Sequence, residues 1–222
     1  MFNRDLFNYD PQTHTGTYEG KPVPSVTQLV DILYPLDSNI PQDRIVNAAE
    51  HGTLVHDGCY ELNCCFDNAY DYDVNLKQAI TLALQQNKCV EVVDYISLIS
   101  AFKLRPFDYE ELVFLLDEEG ELICYGHYDL TAIATQEINP FRGNRLYLFD
   151  IKTTSLFNKN KVAFQESIYA AAYRQCFGNP IEGIYGIWLE KGAKLMPLDK
   201  ISEDNVITLC KHLRNEWYAR IN

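Results

Sequence analysis

The order of patterned segments predicts an α/β domain with a helical N-terminal half. Three observations carry this. Apolar residues recur at helical spacing in several segments up to about Lys103. After Pro106 the period changes, giving short runs rich in β-branched and aromatic residues bounded by turn residues. A helical segment then falls between strand-like runs, as an α/β order requires. The 222 residues suit one core, and no repeat, linker or low-complexity tract divides them. The chain therefore reads as one domain over 1–222, mainly helical in 1–105 and sheet-containing in 106–222.

Residues 1–24 mix prolines, glycines and polar residues without a period and read as an extended arm. Ser25 or Thr27 can cap a short helix whose apolar residues are Val26, Leu29, Val30 and Leu33, with Pro35 as its stop. A second helix is expected from Pro41 to Gly52, and a third from Thr53 to about Asn63. NLKQAITLALQQNK and the stretch after Val90 continue as helices to about Lys103. EELVFLLD and ELICYGHYDLTA read as two strands joined by a tight turn, and RLYLFDIKTT as a third. AFQESIYAAAYRQCFG is a helix with Gly178 as its stop. Two more strands surround Lys191-Gly192, and EDNVITLCKHLRNEWYARIN closes the chain as an amphipathic helix.

Bulk composition narrows the function. The hydrophobic fraction of 47% and aromatic fraction of 13% are those of a folded protein. No apolar run reaches the roughly 18–20 residues that span a bilayer, so no membrane partner is expected. The opening MFNRDLFNYD lacks an apolar stretch and does not read as a secretory signal, which makes a cytoplasmic location the expectation. The seven cysteines form no C-x-x-C pair and read as reduced, mostly buried thiols.

The net charge of −12 opposes a nucleic-acid partner at first sight. Its distribution is uneven. Residues 1–141 hold 7 basic and 23 acidic side chains, whereas residues 142–194 hold 8 and 4. A local basic face in the second segment is the expectation.

Phosphodiester hydrolysis asks for a divalent cation on hard oxygen ligands and for a nearby fixed cation. Asp129 and Asp150 fall towards the ends of two neighbouring strands. Lys152 lies two residues after Asp150 and projects from the same strand face. Alone, Asp-x-Lys is a common triplet at solvated strand ends. His56, in HGTLVH, adds an imidazole from a helix. Gln165 and Tyr169 share one helical face, where an amide and a phenol can hold a phosphate or simply pack.

The ordered set Gly52-x-x-x-His56, Gly126-x-x-Asp129, Asp150-x-Lys152 and Gln165-x-x-x-Tyr169 resembles the RecB-type branch of the PD-(D/E)XK nucleases, over about residues 22 to 190. The early VPSVTQLV is also similar to the opening of phage-type and mitochondrial genome maintenance exonucleases of this group. The resemblance implies a restriction-endonuclease-like core, a central mixed β-sheet flanked by helices, and a metal-dependent DNA exonuclease of phage or prophage recombination or DNA end processing. It implies that His56, Asp129, Asp150 and the Ile151 carbonyl bind Mg²⁺ or Mn²⁺. Lys152 would position or activate water, and Gln165 and Tyr169 would orient the site and the DNA backbone. Glu110 or Glu111 would join them, and Thr153 and Thr154 would contact phosphate. Iron–sulfur relatives carry three late cysteines; here only Cys176 and Cys210 lie late, so no iron–sulfur cluster is expected. DNA is the implied partner, with a single-strand annealing protein beside it and a homo-oligomeric ring as one way to assemble a basic face. The competing class is a nuclease-fold module that binds DNA or a partner without cutting.

Overall fold

A computed structural model describes residues 2–37, 39–67 and 71–221. The arm is not simply extended. It forms a three-stranded antiparallel sheet, β1 (Phe7–Asp10), β2 (Thr15–Tyr18) and β3 (Lys21–Val23). Strands of three or four residues are too short to display a period, but their aromatic side chains decide their place. Phe7 packs on Phe114 and Tyr125, and Phe2 on Phe114, at ring separations near 4.9 Å. Gly16 is needed in β2 because a Cβ there would lie 2.4 Å from the Tyr125 ring.

The short helix appears as α1 (Val26–Leu33), closed by a reciprocal capping box between Ser25 and Gln28. The two helices expected on either side of Gly52 are one continuous α2 (Gln42–Asn63). A single glycine costs about 1 kcal/mol relative to alanine inside a helix, too little to break one held by packing. α3 (Tyr72–Gln85) and α4 (Val90–Ala101) complete the helical half.

β4 (Leu104–Tyr109) follows, a strand that sequence reasoning did not anticipate because it contains Pro106. Proline is tolerated there because β4 is an edge strand, and its pairing with β7 shifts register between Pro106 and Asp108. β5 (Leu112–Leu116) and β6 (Leu122–His127) make a separate two-stranded sheet. The run read as one strand thus divides at Tyr128-Asp129, and its second half is β7 (Leu130–Ala134) of the main sheet. β8 (Leu146–Lys152), α5 (Lys159–Phe177), β9 (Gly183–Trp188), β10 (Lys194–Pro197) and α6 (Glu203–Ile221) complete the chain.

The main sheet has the order β10-β9-β8-β7-β4. β8 sits at its centre, antiparallel to β7 and parallel to β9, with α5 as the crossover. Side chains alternate along β8. Leu148 joins the core under α1, α5 and α6, while Tyr147, Phe149 and Ile151 join the core under α2, α3 and α4. The result is a mixed sheet covered by helices on both faces. α5 is buried almost all round from Val162 to Tyr173, because it packs on the sheet and also meets α1 and α6. No helix among the described residues is long and apolar enough to cross a membrane.

Candidate metal centre

The alternation along β8 puts Asp150 and Lys152 on the face towards α5. Their side chains pair directly, with Lys152 Nζ donating to Asp150 Oδ1 at 2.6 Å. Asp150 is 1% exposed, and its Oδ2 has no hydrogen-bond partner among the described residues. Burial raises its pKa, opposed by Lys152 and reinforced by Asp129, to about 6. Lys152 shows the reverse balance. Burial favours the neutral amine, but the Asp150 and Asp129 carboxylates outweigh it and hold the ammonium well above the ordinary lysine value.

Asp129 occupies the break between β6 and β7. Its Oδ2 accepts the Ile151 N–H at 2.6 Å, which ties the break to the end of β8. His56 reaches the same point from α2, on the opposite side of the sheet from α5. Its Nε2 lies 3.0 Å from the Ile151 carbonyl oxygen, so in the tautomer that donates there Nδ1 is left for a ligand. Nδ1 faces Glu110 Oε1 at 3.6 Å and Asp129 Oδ1 at 3.9 Å. Burial alone would lower the His56 pKa; the Asp129 charge and the Glu110 hydrogen bond raise it instead, to about 9.

Glu110 resolves the choice that alternation left open between Glu110 and Glu111. It follows β4 in a left-handed conformation, φ 53°, and its N–H donates to the Asp129 carbonyl. That irregular residue, not strand periodicity, turns the carboxylate towards His56. His56, Glu110 and Asp129 offer ligand atoms all within 4.8 Å of one another. Two carboxylates and one imidazole at this spacing could hold a metal ion. Asp150 stands apart from this trio, held by Lys152. The Ile151 carbonyl, implied as a ligand, is engaged by His56.

The helical face after β8 divides. Tyr169 is 4% exposed and covers Gly126 so closely that a Cβ there would lie 2.8 Å from its ring and 2.9 Å from its hydroxyl. Gln165 is half-buried and enters none of the described hydrogen bonds. Thr154 donates to the Leu156 carbonyl, whereas Thr153 Oγ1 lies opposite Gly52 on α2. Between Gln165 and Tyr169 lies a residue that sequence reasoning passed over. Glu166 is 1% exposed with both carboxylate oxygens unpartnered among the described residues. Burial, then Asp150 and Asp129, push its pKa well above the usual range, opposed by Lys152. Its signal in the sequence was the one acidic residue of the helix, flanked by Gln165 and Ser167 and followed by the apolar run Ile168–Tyr173.

No protein-family model matches the chain, and no curated protein matches it. Among solved structures it is similar to one described as a crystal structure of SSO0001, at 13% identity over 89% of this chain and 81% of the other. The TM-score of 0.38 is too low for that likeness to inform function.

Proposed function

We propose that this chain is a divalent-metal-dependent DNA nuclease with a restriction-endonuclease-like core of the RecB type, acting as an exonuclease in recombination or DNA end processing. The observation that supports it best is the meeting of His56, Glu110 and Asp129 beside the buried Asp150–Lys152 pair. These residues come from four separate parts of the chain and converge at the end of the central strand. His56 through Nδ1, Glu110 and Asp129 would hold Mg²⁺ or Mn²⁺, with Asp150 as the adjoining carboxylate. Such a cation, when bound, supplies Lewis acidity and neutralises charge at a phosphodiester. Lys152 remains an ammonium at neutral pH, so its role is to donate a hydrogen bond to water or phosphate and to offset developing charge, not to remove a proton.

The competing reading, binding without cleavage, draws support from the net charge of −12. Linear DNA labelled at either the 5′ or the 3′ end, incubated with Mg²⁺ or Mn²⁺, separates the two. Cleavage should occur, and Asp150→Ala or Lys152→Ala should each reduce it by about 10²-fold or more. Cleavage that survives both changes would remove the assignment. Tight DNA binding without any cleavage would favour the binding module.

A further inference from the structure

Between the N-terminal sheet and β6 lies a cleft of about 400 Å³, lined among others by Tyr9, His14, Thr27, Tyr125, His127 and Tyr169. The geometry points to this cleft as a nucleobase subsite, holding the terminal base of a single-stranded DNA end presented to the metal centre. The inference rests on the nuclease reading and adds to it the form of the substrate.

Position supports it first. His127 closes β6 two residues before Asp129, and Gly126 and Tyr169 form part of the same wall. The cleft and the carboxylate trio therefore share a strand end. Glu110 is near enough to Tyr9 and His127 to act on both electrostatically.

The lining then selects the group. It contains no lysine or arginine, so a phosphate finds no counter-charge there. It is instead built from rings. Tyr9 sits 5.0 Å from His127 at an interplanar angle of 57°, and 5.9 Å from Tyr125 at 66°. The Tyr9 hydroxyl meets His14 Nδ1 at 2.9 Å, which fixes the outer wall to the β1–β2 turn. Tyr9 and His127 are only half-buried, whereas Tyr125 and Tyr169 form a buried floor. Rings accept any base through its π face, while the imidazoles and the exposed Thr27 offer partners to base edges.

Size sets the substrate. Pockets of roughly 300–1,000 Å³ take small molecules, which suits one nucleotide and excludes a duplex. A strand entering the cleft must be unpaired at its end, which favours exonucleolytic over internal cutting.

The test uses the full chain in EDTA, so that no cleavage occurs. Short single-stranded oligonucleotides carry 2-aminopurine at the 5′ end, at the 3′ end or internally. Stacking in the cleft should quench one terminal probe more than the internal one. Tyr9→Leu and, separately, His127→Leu should weaken oligonucleotide binding roughly 5- to 150-fold, while Tyr9→Phe should largely preserve it. Mn²⁺ affinity, measured by calorimetry, should stay unchanged in Tyr9→Leu. Equal quenching at all positions in the wild-type chain would overturn the subsite whatever the variants do, as would undiminished binding by both leucine variants. A chain that cuts DNA with Tyr9-independent binding would lose the subsite and keep the nuclease reading. Terminal quenching without Mn²⁺ binding or cleavage would do the opposite.

Discussion

Replacing Glu166 by glutamine should remove a pH dependence of stability that the wild-type chain carries through the neutral range. Neither Glu166 oxygen has a partner among the described residues, and burial together with the Asp150 and Asp129 charges raises its pKa well above the ordinary 4.5. The folded chain therefore keeps a proton that the unfolded chain releases near that value. This contribution is fully present below about pH 4.5 and is lost as pH rises through the folded pKa. Across that window the folded state holds one more proton, and stability falls by about 1.4 kcal/mol per pH unit. For a chain of 222 residues this amounts to roughly 3–6 °C in Tm per unit. Asp150, raised to about 6, adds the same sign only at lower pH, so the clean window lies above 6. His56, raised to about 9, contributes a further slope there, but it is common to both proteins. A glutamine amide is also buried without partners, so its offset is nearly independent of pH and the slope is the readout. Urea denaturation followed by circular dichroism at pH 6, 7 and 8 in EDTA measures it. Parallel profiles for wild type and Glu166→Gln would refute the reasoning.

Two further outcomes follow from the site. Gly126→Ala drives a methyl into the Tyr169 ring and should cost about 1–3 kcal/mol, seen as a lower Tm. In a Tyr169→Val background the same change should cost less, the remainder coming from Val26 Cγ2 at 3.2 Å; an undiminished cost would place the strain away from Tyr169. Because the His56 pKa stands at about 9, a cation must displace its proton between pH 7 and 9. Mn²⁺ affinity should rise about tenfold per pH unit in that range, with one proton released. His56→Ala should flatten the dependence, and a flat wild-type profile would exclude His56 as a ligand.

The parts legible in the sequence are those governed by local periodicity. The mostly apolar run in RLYLFDIKTT gives β8, and the two-residue spacing of Asp150 and Lys152 puts them on one strand face, where they pair. Ser25 with Gln28, and Gly178 at φ 75°, mark helix ends through backbone chemistry that any window of four residues displays. What stayed hidden depends on contacts distant in sequence. β4 exists because β7 pairs with it, and nothing within LRPFDY announces that partner. The division at Tyr128-Asp129 arises because β6 and β7 serve different sheets, although the run reads as continuous. Glu110 was narrowed only to a pair, since strand alternation says nothing of a left-handed residue just past a strand. Glu166 lay in plain view as the one acidic residue of α5, but its significance required knowing that α5 is buried on nearly all sides from Val162 to Tyr173.

Most basic side chains of residues 142–194 are ion-paired in the fold, and this leads to a salt-dependence prediction. Arg142 pairs with Glu182, Lys152 with Asp150, Lys159 with Asp199, Lys161 with Asp31, Arg174 with Glu203 and Lys191 with Glu190. Lys194 lies over the Trp188 ring at 4.5 Å. The excess charge in the chain segment is thus largely neutralised in the fold by carboxylates, several of them from outside the segment. Exposed pairs contribute only about 0–1 kcal/mol, so a phosphate can displace some of them. Each displacement leaves a carboxylate facing the DNA, which limits how many phosphates the surface can neutralise. With two or three such contacts, single-strand binding should weaken with salt at a log–log slope of about −1.4 to −2.1. Fluorescence anisotropy of a labelled oligonucleotide in EDTA across a KCl series measures that slope. A slope steeper than about −5 would mean that the ion pairs open together and that a broad basic face forms on binding. A shallow slope would leave base stacking, not the phosphate backbone, as the main source of affinity in the absence of metal.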